Sequence, residues 1–256
     1  MRQKKCFPLF PVLILFVISW GVHAQDEITT EKHFRLGFGA DFVSSYVWRG
    51  LYQGGFSVQP GMSIHLGHFG LTAWGSTDFQ GSGTEGNPVS KEIDLVLSYD
   101  LGKTGLGFAV SDYWWADKGK GDFFNYKSAD TDHAIEAGIS YDFPFEKFPM
   151  SMAWYTFFWG ADKKENGKQN HSSYFELTYP FKVKQIDLEA ALGIVPYSAA
   201  YYETDKFGVT NLSLTASSSI PLSRRFALPV FVQTAWNLYA EEVYLLLGLS
   251  LAFGDY

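Results

Sequence analysis

The chain has 256 residues, a formal net charge of −7, an aromatic content of 18% and a single cysteine, Cys6. An acidic balance of this kind excludes a basic nucleic-acid groove. One cysteine excludes a disulfide framework and a thiolate zinc site.

Arg2, Lys4 and Lys5 precede an apolar run from Phe7 to Trp20, and Val22-His23-Ala24 offers tolerated cleavage positions before Gln25. This pattern reads as a secretory signal over residues 1–24, with 25–256 as one domain. The run is shorter than the roughly 18–20 residues that a spanning helix needs. No other long apolar run follows, so passage through a membrane would require strands.

The dominant period of the rest is two. Val243, Leu245, Leu247, Leu249, Leu251 and Phe253 alternate with Leu246, Gly248, Ser250, Ala252 and Gly254. Ile93, Leu95 and Leu97 alternate with Glu92, Asp94 and Val96 in the same way. A greasy face opposite a small or polar one is strand alternation. It predicts twelve strands, near 33–49, 55–67, 69–79, 91–101, 104–116, 132–143, 149–161, 171–181, 184–196, 208–220, 225–238 and 242–254. Most have the length that a tilted strand needs to cross a hydrocarbon core.

Short links at Gly67-His68, Gly102-Lys103, Pro144 to Phe148, Lys182-Val183 and Ser223-Arg224 alternate with mostly longer ones at 51–54, 80–90, 117–131, 162–170 and 197–207. Only Ala240-Glu241 breaks that trend. Short turns on one rim and long loops on the other are the habit of an outer-membrane barrel. A weak repeat (Ser98-Tyr99-Asp100-Leu101, then Ser140-Tyr141-Asp142-Phe143) ends two of these strands just before a short turn. The expected fold is all-β: a single transmembrane antiparallel up-and-down β-barrel of about 12 strands in a bacterial outer membrane, preceded by a signal peptide.

The polar face carries charges in mid-strand, which are costly to desolvate inside a small soluble barrel. Arg35, Asp41, Arg49, Glu92, Asp94, Glu136, Glu176, Asp187 and Glu189 are therefore the candidates to line a lumen. Tyr46, Trp48, Phe69, Phe79, Tyr99, Tyr141, Phe143, Tyr179 and Phe181 fall near strand ends on the apolar face, where aromatic girdles belong. Two roles fit the inward acids: a cation-favouring channel, or a salt-bridged plug that keeps a narrow barrel rigid. Twelve strands lie between the filled interior of eight and the open channel of 16–18. The chain also ends in an aromatic strand, with Phe253 and Tyr256, which resembles the signal read by the barrel-assembly machinery.

Val43-Ser44-Ser45-Tyr46-Val47-Trp48-Arg49-Gly50 followed by Gln53 is similar to the first hairpin of the TorF-type porins, a conserved hypothetical outer-membrane β-barrel family. Val58-Gln59-Pro60-Gly61, Ala73-Trp74-Gly75-Ser76 and Glu92-Ile93-Asp94-Leu95 leading to Tyr99 resemble the same family in the same order. The resemblance covers about residues 35–115, with Leu51-Tyr52 departing from the small polar residue expected before Gln53. It implies an outer-membrane barrel of the porin kind.

Other motifs carry less. Gly81-Ser82-Gly83-Thr84-Glu85-Gly86 matches a dinucleotide fingerprint, but Asn87-Pro88 and a strand follow instead of a helix, so a surface loop is expected. Ser63 and His65 share one inward face, without a nucleophile-elbow motif around them. His33, His68, His133 and His171 fall near strand ends and lack metal-ligand spacing. The lysine-bearing loops at 117–132 and 162–170 read as solvated surface, with a constriction folded into the mouth or a surface-saccharide site as the alternatives. The expected function is passive diffusion of small polar solutes or ions, with no catalysis, no cofactor and no nucleic-acid partner. The expected partners are outer-membrane lipid, the assembly machinery and the solute. A lipid-acting barrel enzyme, a substrate-specific channel and a non-conducting structural barrel stand as alternatives.

Overall fold

The computed structural model describes residues 34–79, 91–116, 122–145, 148–224 and 226–254. The expected signal segment, Cys6, His33, the Gly81–Gly86 motif and Tyr256 lie outside them. The described strands are β1 (Phe34–Val43), β2 (Tyr46–Trp48), β3 (Leu51–Gly54), β4 (Ser57–Leu66), β5 (Phe69–Thr77), β6 (Lys91–Asp100), β7 (Leu106–Trp115), β8 (His133–Asp142), β9 (Ser151–Gly160), β10 (Ser173–Val183), β11 (Ile186–Val195), β12 (Gly208–Pro221), β13 (Ala227–Asn237) and β14 (Glu242–Gly254).

Twelve of these form one closed antiparallel barrel in sequence order, with β2 and β3 as a separate two-stranded ribbon. β1 closes the wall by pairing with β4 on one side and β14 on the other, in the register Asp41↔Gln59 and Asp41↔Ser250. Closure leaves no row of unpaired backbone groups, which a sheet must achieve before it can sit in hydrocarbon.

The expected strand at 33–49 is two elements. β1 stops at Val43, and Ser44 leaves the wall while still tied to β14: its N–H donates to Leu247 O at 2.8 Å, and its Oγ accepts from Leu247 N at 2.9 Å. The chain then turns inward as the β2–β3 hairpin. The apolar alternation continues through Tyr46 and Trp48, which is why the break is silent in the sequence.

The alternation sorts as outside and inside. On β14, Val243, Leu245, Leu247 and Phe253 are 58–66% exposed, whereas Leu246 and Ser250 are 2% or less. Leu71, Leu97, Phe108, Val110, Ile139 and Trp154 extend this greasy exterior around the wall. A continuous apolar surface of this kind is foreign to monomers in water. At the short-turn rim, aromatic rings pair around the exterior: Phe69 with Tyr99 (4.7 Å between centroids), Tyr141 with Phe143 (5.0 Å) and Phe148 with Tyr179 (5.0 Å). Tyr46 and Trp48 do not belong to that girdle. They sit inside the barrel, where Tyr46 stacks on Trp115 at 6.3 Å and 8°.

The loop expected to be merely solvated is anchored in its described part. Residues 122–132 pack against the outward face of β7 and β8. His133 contacts Asp112 Oδ1 at 2.8 Å through Nδ1 and Phe123 O at 2.6 Å through Nε2. Tyr126 stacks on His133 at 4.1 Å and donates to Asp112 Oδ2 at 2.8 Å. Desolvation, with the Asp112 hydrogen bond second, pushes the Tyr126 phenol up to about 12.

Candidate functional site at the hairpin tip

Arg49 and Gly50 form a two-residue turn between the paired residues Trp48 and Leu51. Their φ angles are 49° and 79°, the double left-handed geometry of a tight hairpin turn. Glycine adopts it freely, whereas a residue with a side chain loses roughly 1–2 kcal/mol there. The surroundings hold Arg49 in that conformation. Gly50 O accepts a hydrogen bond from Asn237 Nδ2 at 3.2 Å. A Cβ on Gly50 would lie 1.8 Å from Thr210 O, so the tip rests directly on the backbone of β12.

From this tip the guanidinium reaches across the interior to β8. Arg49 Nη1 donates to Glu136 Oε1 at 2.6 Å and Nη2 to Glu136 Oε2 at 2.9 Å, a two-point fork. Arg49 is 5% exposed and Glu136 1%. The guanidinium carbon lies 4.6 Å from the ring centroid of Trp48, 4.3 Å from Tyr155, 4.6 Å from Tyr174 and 5.8 Å from Tyr202. It also donates to Tyr202 Oη. Tyr113 Oη donates to Glu136 Oε2 at 3.1 Å, and Tyr174 Oη to Glu176 Oε2 at 2.9 Å. Each surface of the cation thus meets a carboxylate or a ring face, which offsets the loss of water.

A second loop completes the enclosure. The short 3-10 turn Ala200–Tyr202 is tucked into the barrel. Tyr202 stacks on Trp48 at 5.6 Å and 14°, and Tyr201 packs on Phe157 at 4.1 Å. Tyr174 fits against the wall because Gly193 faces it: a Cβ there would meet Tyr174 Oη at 1.9 Å. Trp48, Tyr113, Trp115, Tyr155, Phe157, Tyr174 and Tyr202 all belong to one buried cluster that fills the half of the interior nearer the long loops. Below it the inward face is polar and small, with Ser63, Ser111, Ser140, Thr178, Ser213 and Gln233 all buried.

The nine sequence candidates fall into three groups. Asp41, Glu92, Asp94, Glu136 and Glu176 are buried on the inward face, and Arg49 is brought among them from the hairpin. Glu189 is half-buried on the inward face of β11. Arg35 and Asp187 sit at the short-turn rim: Arg35 is exposed opposite His65, and Asp187 pairs with Lys182 at 2.8 Å. Asp41 and Asp94 each leave Oδ1 without a hydrogen-bond partner among the described residues. The tyrosines around Arg49 were not legible as a site. The Arg-Gly pair between two aromatic stretches is the signal that could have marked the turn.

Above the cluster, a cavity of about 260 Å³ opens among Trp48, Tyr52, Gln53, Trp115, Tyr201, Glu203, Glu242 and Tyr244. Among the described residues, two carboxylates and no lysine or arginine line it. Glu203 is shared with a wider cleft of about 710 Å³ between the loops near Lys163 and Tyr239.

No family model matches the chain. No curated protein matches it. Among solved structures, an outer membrane channel from Pseudomonas putida F1 is similar at 9% identity over 90% of this chain and 100% of that chain, with a TM-score of 0.43. A structure from work on the in-meso crystallization of membrane proteins is similar at 9% identity over 87% of this chain and 84% of that chain, also with a TM-score of 0.43.

Proposed function

We propose that this protein is a bacterial outer-membrane channel for small polar solutes or ions, described here in its shut state. The observation that carries the proposal is the inserted β2–β3 hairpin. It occupies the interior of a barrel that is apolar outside, and its deepest contact is a single wall-to-loop ion pair. A barrel that never opened would do as well or better with apolar filling, because replacing a buried ion pair by hydrophobic side chains of the same volume is often neutral or stabilising. A charge pair between a fixed wall and a loop is instead suited to making and breaking. The segment similar to TorF-type porins is the one that carries this lock.

With the hairpin withdrawn, Asp41, Glu92, Asp94, Glu136 and Glu176 would face enclosed water with no inward cation from the hairpin beside them. Acids of one sign along a lumen bias conduction toward cations. Planar-bilayer recording tests this. Wild type is compared with a variant in which residues 45–55 are replaced by a short Gly/Ser turn. The expected result is brief openings in wild type and sustained, cation-preferring conductance in the shortened variant. Silence from both folded proteins would overturn the channel.

A further inference from the structure

The surroundings of Arg49 form a receptor for a planar cation: a carboxylate in two-point contact, a second carboxylate held by Tyr174, and ring faces at 4.3–5.8 Å. We infer that this box is a binding site for the guanidinium or ammonium group of a solute, and that Arg49 is its resident stand-in. The inference deepens the channel function, since it names the substrate class that the lumen would take.

Three observations carry it. The first is the division of labour. Every group that recognises the cation except Trp48 and Tyr202 belongs to the barrel wall, whereas the cation belongs to a hairpin whose own backbone is strained at Arg49. Withdrawal of the hairpin leaves Glu136 without its cation in a narrow, ring-lined lumen, where enclosed water replaces only part of the two-point contact and part of the cost of the unpaired charge stays. A solute cation that fits the vacated fork removes that penalty. The second is the geometry. The guanidinium plane meets both carboxylate oxygens at once, which favours guanidinium over a point-charge ammonium and both over a neutral solute. The third is the approach. The mouth cavity joins the hairpin residues Trp48, Tyr52 and Gln53 to the acids Glu203 and Glu242, and among the described residues no lysine or arginine lines it. Tyr52 and Tyr244 stack there at 6.1 Å, which gives a cation an aromatic surface beside carboxylates before it reaches the box. A saccharide could use those ring faces but has no charge to offer Glu136.

Because Arg49 and the solute compete for one box, cation binding and hairpin insertion exclude each other. A ligand that binds only the withdrawn state shifts the population toward it by its differential affinity. The solute would thereby favour its own passage.

The test is chemical rescue in detergent with the full chain. Arg49→Ala empties the box, and argininamide or methylguanidinium is titrated against intrinsic fluorescence and melting temperature, with sodium chloride at matched ionic strength and a neutral disaccharide as controls. The expected result is saturable binding of argininamide at least about tenfold tighter than to wild type, the factor that 1.4 kcal/mol represents. Adding Glu136→Gln should abolish it. No saturable guanidinium effect, or an equal effect of the disaccharide, overturns the inference. Should Arg49→Ala not fold, the wild-type scaffold carries the same test: a thiol introduced by Leu51→Cys should be labelled faster when argininamide is present, and an unchanged rate overturns the inference. Saturable binding with silent bilayers would remove the channel and leave the box. Conductance without guanidinium binding would do the reverse.

Discussion

Gly50→Ala separates the lock from its charges. The added Cβ would stand 1.8 Å from Thr210 O and 2.8 Å from Thr210 C, both backbone atoms of a wall strand that cannot swing aside. At φ +79° an alanine also loses roughly 1–2 kcal/mol to left-handed crowding. Overpacking against a fixed neighbour adds about 1–3 kcal/mol. Lifting the tip to relieve it forfeits the bond from Asn237 to Gly50 O, worth about 0.5–1.5 kcal/mol. The overpacking and the lost bond fall on the inserted state alone, because a withdrawn hairpin touches neither Thr210 nor Asn237. Because one cost is incurred in place of the other, the balance moves toward withdrawal by on the order of 1–3 kcal/mol, which raises the open-to-shut ratio by about fivefold or more. Single-channel recording reads this directly. Gly67→Ala is the control, since Gly67 also has a positive φ of 58° but a Cβ there meets nothing within 4 Å. A folded Gly50→Ala barrel with the open probability of wild type and of Gly67→Ala would refute the account of the plug.

Three other outcomes follow from the geometry. Leu247→Arg places a charge on the exterior at mid-height of β14, where Leu247 is 58% exposed, and should weaken folding into lipid vesicles by about 2–4 kcal/mol while leaving a water-soluble barrel untouched. Glu92→Gln with Asp94→Asn, made in the hairpin-shortened variant, should reduce cation preference, and reversal potentials that stay put in a salt gradient would exclude these acids as the selectivity element. Tyr126 holds the 122–132 loop to Asp112 as a neutral phenol whose ionisation is raised from 10.0 to about 12. Its contribution is complete below pH 10.0 and is lost as pH climbs toward 12, so Tyr126→Phe should remove one phenol's amplitude near pH 12 from an ultraviolet phenolate titration, and an unchanged trace there would contradict the anchoring.

Strands were legible because each has two solvents. Where one face meets lipid-like surroundings and the other a polar interior, composition must alternate, and β14 and β6 show it residue by residue. The break after Val43 was not legible, since Tyr46 and Trp48 keep the same rhythm while packing into a core rather than facing outward. The site was visible only in its charges. Arg49 lies 87 positions from Glu136 and 153 from Tyr202, so no local spacing encodes their meeting. The outer latch has the same origin: His133 finds Asp112 21 positions away on the neighbouring strand.

In the proposed channel the positive half of the lock rides on the hairpin, so shutting the barrel would move an elementary charge inward and releasing it would move that charge back out. A full traverse of the membrane field is worth about 2.3 kcal/mol per 100 mV, and the hairpin crosses a fraction of it. Voltage that is positive on the short-turn side would then expel Arg49, and the opposite polarity would seat it. On that reading a single arginine on a ribbon would make an otherwise passive barrel a rectifier, with its asymmetry written in which side the loop enters from.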